Sequence, residues 1–292
     1  MIIQLIANPV AGGGRGKIQA IALQEALRAM NHDVEFTLTK AAGEAESASA
    51  SSAECIAVVG GDGTLNEVIN GVGDRPVPVA ILPVGTANVV ARELKMKSDP
   101  QRIAQHISDR RVRRVDVGVH GKRRFLLSAG AGLDAAIVAA VHENRGRRSG
   151  LAKWVAPAIR TALKYTYPKM RVTVDGETVS ETAQYALIGN CRYSAGIFPA
   201  TPKAVIDDGL LDVCLLHDLR PARIAALAVN VWRSTFTQQP SVTYRQGKHI
   251  TIEPTVSGPI PLQIDGDPAG EIPAEFLILP KALLVITPTA QP

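Results

Sequence analysis

An aspartate set among three glycines, in Val58-Val59-Gly60-Gly61-Asp62-Gly63-Thr64-Leu65-Asn66-Glu67, carries the strongest chemical signal in this chain. Residues 55–59 are apolar and run straight into the glycines. Leu65, Val68, Ile69 and Val72 then repeat at helical spacing. A strand, a glycine turn and a helix together aim free backbone N–H groups at an anion. Glycine lets the main chain approach that anion with no Cβ in the way. A carboxylate beside a phosphate makes sense only with a cation between them. The run therefore reads as a nucleoside triphosphate site with Mg²⁺. The plainer alternative is a tight turn whose glycines serve packing alone, but such a turn rarely needs three glycines and an acid.

Two further turns have the same form. Asn8-Pro9-Val10-Ala11-Gly12-Gly13-Gly14-Arg15-Gly16-Lys17 follows an apolar run and opens a helix. It is no Walker A loop, because Ala11 stands at the first glycine and Ile18 at the hydroxyl position. Its place suits phosphate, with Arg15 or Lys17 supplying charge. Leu82-Pro83-Val84-Gly85-Thr86-Ala87-Asn88 again ends a strand in a glycine, with Thr86 as a candidate N-cap. Three such turns after three strands should converge on one sheet edge.

Other acids could serve the same chemistry. Asp134, after Gly130-Ala131-Gly132-Leu133, can cap a helix or act as a second acid near the metal. Asp265-Gly266-Asp267 follows a strand, and alternation puts its two acids on one side. Asp-Gly is also ordinary turn chemistry. A carboxylate there suits phosphoryl transfer to an alcohol, whose proton must leave as the O–P bond forms. Asp207-Asp208-Gly209-Leu210 could hold a structural cation through a carboxylate and carbonyls.

The elements that position these groups change character along the 292 residues. Strands are expected over 2–7, 34–38, 55–59 and 79–82, with helices over 18–30, 45–53, 65–72, 86–94 and 102–107. Asp99 caps the last of these helices, with Pro100 at its first position. That alternation predicts a mostly parallel, Rossmann-like α/β sheet with its ligand at the carboxyl ends of the strands. From about residue 112 strands take over. Hairpins are expected at His120-Gly121 and Asp175-Gly176, and strands over 185–189, 211–216, 250–252, 261–264, 276–279 and 283–286. Helices are expected at 135–143, 151–165 and 222–236. This half reads as an antiparallel β-sandwich. The domains are drawn at 1–125, for nucleotide, and 126–292, for the second substrate.

Composition excludes several classes. No apolar run reaches the roughly 18–20 residues of a membrane span, and the first residues lack the basic and cleavage features of a signal peptide. Cys55, Cys191 and Cys214 have no metal or disulfide spacing, which suits buried thiols in a reducing cytoplasm. The formal net charge is +5, with basic clusters at Arg110, Arg111, Arg113 and Arg114, at Lys122, Arg123 and Arg124, and at Arg145, Arg147, Arg148 and Lys153. Without aromatic interleaving this argues against nucleic acid and for solvated charge or a membrane surface. The 151–165 helix sets Trp154, Val155, Ile159 and Leu163 against Lys153, Arg160 and Lys164. Core packing is its favoured reading, with weak, salt-sensitive bilayer contact as the alternative.

Taken together, the motifs resemble a known family: the bacterial diacylglycerol kinases and related lipid kinases, which share a catalytic domain with sphingosine kinases. Asn8-Pro9 through Gly12, Gly60 through Glu67, Leu82-Pro83-x-Gly85-Thr86-x-Asn88, Gly130-x-Gly132-x-Asp134, Pro202-x-Ala204 and Asp208-Gly209-Leu210-Leu211-Asp212 stand in the family's order and spacing. The resemblance implies an ATP-binding α/β domain, a lipid-binding β-sandwich and γ-phosphate transfer to a lipid hydroxyl. Carried over by position, ATP is held by Asn8, Pro9, Val10, Ala11, Gly12, Thr39, Gly60, Gly61, Asp62, Gly63, Thr64, Leu65, Asn66, Glu67 and Thr86. Asp62 anchors the catalytic Mg²⁺ through water, with Asp134 contributing. A structural Mg²⁺ falls on the carbonyls of Val205 and Leu210 and the carboxylate of Asp208.

Two positions depart from the family pattern. The usual Asp-Gly-Glu is Asp265-Gly266-Asp267 here, so the implied base, Asp267, is one methylene shorter. Many relatives carry an acid where Val89 stands. An NAD kinase is the nearest enzymatic rival, and a catalytically weak nucleotide- or lipid-binding regulator is the other alternative. The expected partners are a lipid alcohol and, transiently, a membrane surface; a homodimer is compatible with the sequence. The implied location is cytoplasmic, peripheral at the inner membrane surface.

Overall fold

The computed structural model describes residues 1–143, 152–193, 199–220 and 236–288, with 152–155 described by backbone alone. Two compact units emerge. The first holds Met1–Val117, Ile206–Asp208 and the described residues from Leu279 onward; the second holds Gly118–Val205 and Gly209–Ile278.

The first unit alternates strand and helix: β1 (Ile2–Ala7), α1 (Arg15–Ala29), β2 (Asp33–Leu38), α2 (Glu44–Ser49), β3 (Cys55–Gly60), α3 (Asp62–Val72), β4 (Val79–Pro83), α4 (Val89–Glu93), α5 (Pro100–Ser108) and the start of β5 (Val112–His120). The strands lie in the order β2-β1-β3-β4, all parallel. The end of the chain's last strand adds in parallel beside β4, pairing Val285 with Val79. Every residue of β3 and β4 is buried, as a parallel sheet covered on both faces requires. The stripe Leu65, Val68, Ile69 and Val72 of α3 is buried, as its spacing predicts. Asp99 caps α5 by accepting from the Arg102 N–H at 3.2 Å, with Pro100 in the first turn.

The second unit is antiparallel. It contains β6 (Arg123–Phe125), β7 (Ser128–Ala131), α6 (Leu133–Glu143), α7 (Ala152–Lys164), β8 (Met170–Val174), β9 (Glu177–Ala183), β10 (Tyr185–Gly189), β11 (Leu211–Leu216), β12 (Val242–Gly247), β13 (His249–Pro254), β14 (Pro261–Ile264), β15 (Asp267–Glu271) and the first part of β16 (Ala274–Ile286). One sheet runs β12-β11-β10-β7-β14-β15. The facing layer pairs the first half of β16 with β13, then β8 and β9. Side chains of both layers share one core, including Ile188, Val213, Ile264, Ile250 and Phe276. Phe125 packs edge-on to Phe276, and only a glycine at 118 leaves room for its ring. This is the sandwich expected from the strand pattern.

Several expectations need correction. Residues 276–279 and 283–286 are one strand, β16. The strands β12 and β15 are polar and half-exposed, so they carry no strong apolar alternation. The helix α7 is not core-packed on its Ile159–Leu163 face, where those residues are 58% and 69% exposed. The side chains of Lys153, Trp154 and Val155, the basic residues Arg145, Arg147 and Arg148, and the helix over 222–236 apart from Phe236 lie outside the described residues.

Candidate functional site

The loops after β1, β3 and β4 meet at the carboxyl edge of the first unit's sheet. Asn8 folds the first loop into a turn, its Oδ1 accepting the Val10 N–H at 3.1 Å. Gly12 has φ +59°, and a Cβ there would collide with the Val84 carbonyl of the third loop. Gly61 and Gly85 also pack backbone to backbone: a Cβ on Gly85 would lie 2.6 Å from the Gly61 Cα. The Gly60 carbonyl accepts the N–H groups of Val84 at 2.9 Å and Gly85 at 3.3 Å. Thr39, buried at the end of β2, donates its N–H to the Ala7 carbonyl at 2.9 Å. Residues 8–12, Thr39, 60–64 and 84–88 thus share one edge.

Two helices start at this edge without a side-chain cap, α1 from Gly14 and α3 from Gly61. Their first-turn N–H groups and positive dipole ends suit phosphate oxygens. A Cβ at Gly13, Gly14 or Gly63 would meet nothing within 4 Å, so space lies in front of these backbones. The donor set fits a triphosphate. Not every expected residue faces this edge. Leu65 belongs to the buried stripe of α3, Asn66 is buried and bonds Asn70, and Glu67 accepts the Ala45 N–H at 3.2 Å near the start of α2.

Asp62 has a second role that the sequence did not disclose. Its carboxylate accepts the N–H groups of Val89 at 3.1 Å and Val90 at 3.3 Å, capping α4. Thr86 is therefore not the cap; it is exposed in the turn, and the helix begins at Val89 rather than at 86. The Val89 side chain is buried, and its backbone N–H reaches the carboxylate. Burial pushes the Asp62 carboxyl above its ordinary range, and the N–H bonds from Val89 and Val90 restrain the rise. The backbone N–H groups of Asn88 and of Asp62 itself also face this carboxylate. A hydrated Mg²⁺ held through water fits that carboxylate.

The second unit gathers its own acids around α6. Asp134 lies in the first turn of α6 and accepts the Ala135 N–H at 2.7 Å, the Gln263 Nε2–H at 3.0 Å and the Tyr185 hydroxyl at 3.4 Å. Burial pushes its carboxyl up to about 6, with these donors opposing. A Cβ at Gly130, the cross-strand partner of Gln263, would collide with Asp134. Asp267 accepts from His142 Nε2 at 2.9 Å and lies 3.6 Å from an Arg123 nitrogen, with 40% of its side chain exposed.

Asp265 and Asp267 do not act as a matched pair. Asp265 (φ +50°) and Gly266 (φ +84°) form the turn between β14 and β15, which interrupts strand alternation. The Asp265 carboxylate is taken by the N–H groups of Leu126, Leu127 and Ser128 at 3.0–3.1 Å. In the loop expected to hold a cation, Val205 and Asp208 are exposed and Gly209 has φ +78°. The neighbouring Asp207 takes both hydrogen bonds from Arg113, at 3.0 and 2.8 Å. All three cysteines are free and buried, and burial pushes Cys55 and Cys214 up to about 12, so neither is a nucleophile.

Residues 3–120 match the family model described as diacylglycerol kinase catalytic domain. Residues 127–287 match the one described as YegS C-terminal NAD kinase beta sandwich-like domain. The chain belongs to the family of the YegS C-terminal NAD kinase beta sandwich-like domain, joined here to a match to the diacylglycerol kinase catalytic domain. Its relatives include the diacylglycerol kinase of Staphylococcus saprophyticus, 26% identical over 98% of this chain and 95% of that one. The diacylglycerol kinase of Staphylococcus haemolyticus is 29% identical over 84% of this chain and 74% of its own. A crystal structure of a diacylglycerol kinase from Bacillus anthracis covers 98% of this chain and 96% of that chain, with TM-score 0.75 and 26% identity. A second structure from that organism reaches TM-score 0.78 at 25% identity, covering 98% of this chain and 94% of that one. This family member thus keeps a parallel α/β unit followed by an antiparallel β-sandwich.

Proposed function

We propose that this protein is a lipid kinase that transfers the γ-phosphate of ATP to the hydroxyl of a diacylglycerol-like lipid. The observation that carries this reading is the meeting of three glycine loops where α1 and α3 start uncapped, in a unit that matches the diacylglycerol kinase catalytic domain. The backbone N–H groups of that edge hold the triphosphate. Asp62 holds Mg²⁺ through water, and Asp134 contributes a second carboxylate. Bound Mg²⁺ supplies neutralisation of charge on the transferring group. Asp267 accepts the hydroxyl proton as the O–P bond forms, which is worth roughly 10²–10⁴-fold in rate. His142 holds the Asp267 carboxylate in one orientation. The exposed turn of Val205, Asp208 and Leu210 is the proposed place for a structural cation.

Among the described residues no helix is long and apolar enough to cross a membrane. We assign the partner as a lipid surface met from the cytoplasm, engaged weakly through basic side chains. Such binding to anionic vesicles falls as salt rises.

The test is labelled ATP with Mg²⁺ against a panel of lipid alcohols, with NAD as one acceptor. Asp62→Ala and Asp267→Ala serve as controls. Label in a lipid, lost in both variants, supports the reading. Label in NAD makes the protein an NAD kinase, and ATP binding without transfer to any acceptor makes it a regulator.

A further inference from the structure

Gln263 is nearly fully buried, at 4% exposure, yet both ends of its amide are engaged. Its Oε1 accepts the Gly266 N–H at 2.9 Å, and its Nε2 donates to Asp134 Oδ2 at 3.0 Å. The orientation is fixed by chemistry. A backbone N–H can only donate, so the amide oxygen must face Gly266, and the NH₂ is left for the carboxylate. Leu262 and Ile264 on either side are buried in the sandwich core, while Gln263 points to the opposite face, toward α6. Across the strand pair Gly130 has no Cβ, and one there would press on both Asp134 and the Gln263 amide.

A buried amide desolvates its polar atoms and packs no better than Met or Leu. What distinguishes Gln here is that one side chain spans two acids. One end sets the Asp134 carboxylate; the other pins the turn whose next residue is Asp267. We propose that Gln263 is a positioning residue that holds Asp134 and the Asp267 turn in fixed register. This inference rests on the kinase reading above for its kinetic consequence, though not for its structural one.

Gln263→Met removes both bonds at similar volume. Gln263→Glu keeps the acceptor for Gly266 but sets a second carboxylate against Asp134. Kinetics are measured well below each variant's melting temperature, with ATP and Mg²⁺ on whichever lipid alcohol the wild type uses. The expected result is a kcat loss of about tenfold for Gln263→Met and about a hundredfold for Gln263→Glu, with KM for ATP within about twofold of wild type in both. A kcat within twofold of wild type in both variants overturns the proposal. So does an equal rise in KM for ATP, which would mean a general loosening of the fold. Crystal structures of the two ligand-free variants decide the structural half. Displacement of Asp134 in both, and of the 265–267 turn in Gln263→Met alone, supports it; unmoved acids refute it. If the wild type phosphorylates no acceptor, the kinase reading fails, and these structures still decide whether Gln263 sets the two acids.

Discussion

His142 donates its Nε2–H to Asp267 Oδ1 at 2.9 Å, tying the last turn of α6 to the first residue of β15. A carboxylate oxygen accepts, so the imidazole is the donor. Nothing in the local sequence foretells this contact, because 125 residues separate the partners. If His142 aims the base, His142→Phe lowers kcat about tenfold while KM for ATP stays put. His142→Gln, which can present an N–H at the same reach, recovers most of the rate. Stability changes by less than about 1 kcal/mol in either variant, since the pair is partly exposed. Steady-state kinetics beside denaturant melts check all of these outcomes.

Asp62 has two duties that substitutions separate. Asp62→Ala removes the cap of α4 and costs about 1 kcal/mol in urea unfolding. Asp62→Asn keeps one acceptor oxygen, enough for one of the two helix N–H groups, and gives up the charge. It unfolds within about 0.5 kcal/mol of wild type, yet loses at least about 10²-fold in phosphate transfer. A variant that keeps transfer despite losing the charge would remove Asp62 from the cation site.

Asp134 makes stability pH-dependent in a known direction. Its folded carboxyl titrates at about 6, above its ordinary value, because burial disfavours the charged form. The folded state therefore holds the proton more tightly than the unfolded chain. Its contribution is fully present below the unfolded pKa and is lost as pH rises through about 6. Relative to Asp134→Asn, the wild type should gain about 1.4 kcal/mol between pH 7.5 and pH 5. Denaturant unfolding of both proteins at the two pH values measures this difference. A wild type that loses ground to the variant on acidification contradicts the sign.

The glycines of the first loop are not equivalent. Gly12→Ala meets the Val84 carbonyl at a left-handed backbone position and costs more than about 2 kcal/mol. Gly13→Ala has φ +71° but open space, so it costs only about 1 kcal/mol of backbone strain. Urea melts separate the two, and equal costs would mean that the first and third loops do not touch.

Much of this architecture could be read from the chain because the first unit is built from local rules. Buried parallel strands appear as unbroken apolar runs such as Cys55–Gly60, each followed by its glycine turn and helix stripe. The convergence of three turns followed from strand connectivity alone. What escaped was set by distant partners. Asp62 reaches 27 residues along the chain to cap α4, which displaces Thr86 from the role its position suggested. Asp265 spends its carboxylate on backbone 137–139 residues away, so alternation misjudged the turn. Gln263, Arg123 and Tyr185 carry no motif and declare themselves only when the strands of the sandwich are in register.

The most direct measurement is a crystal structure with Mg²⁺ and a non-hydrolysable ATP analogue. The phosphates should lie at the starts of α1 and α3, hydrogen-bonded to backbone N–H groups of residues 12, 13 and 61–64, with the metal's water shell on Asp62. An analogue bound elsewhere at saturating concentration, or a glycine edge left bare, would contradict the account.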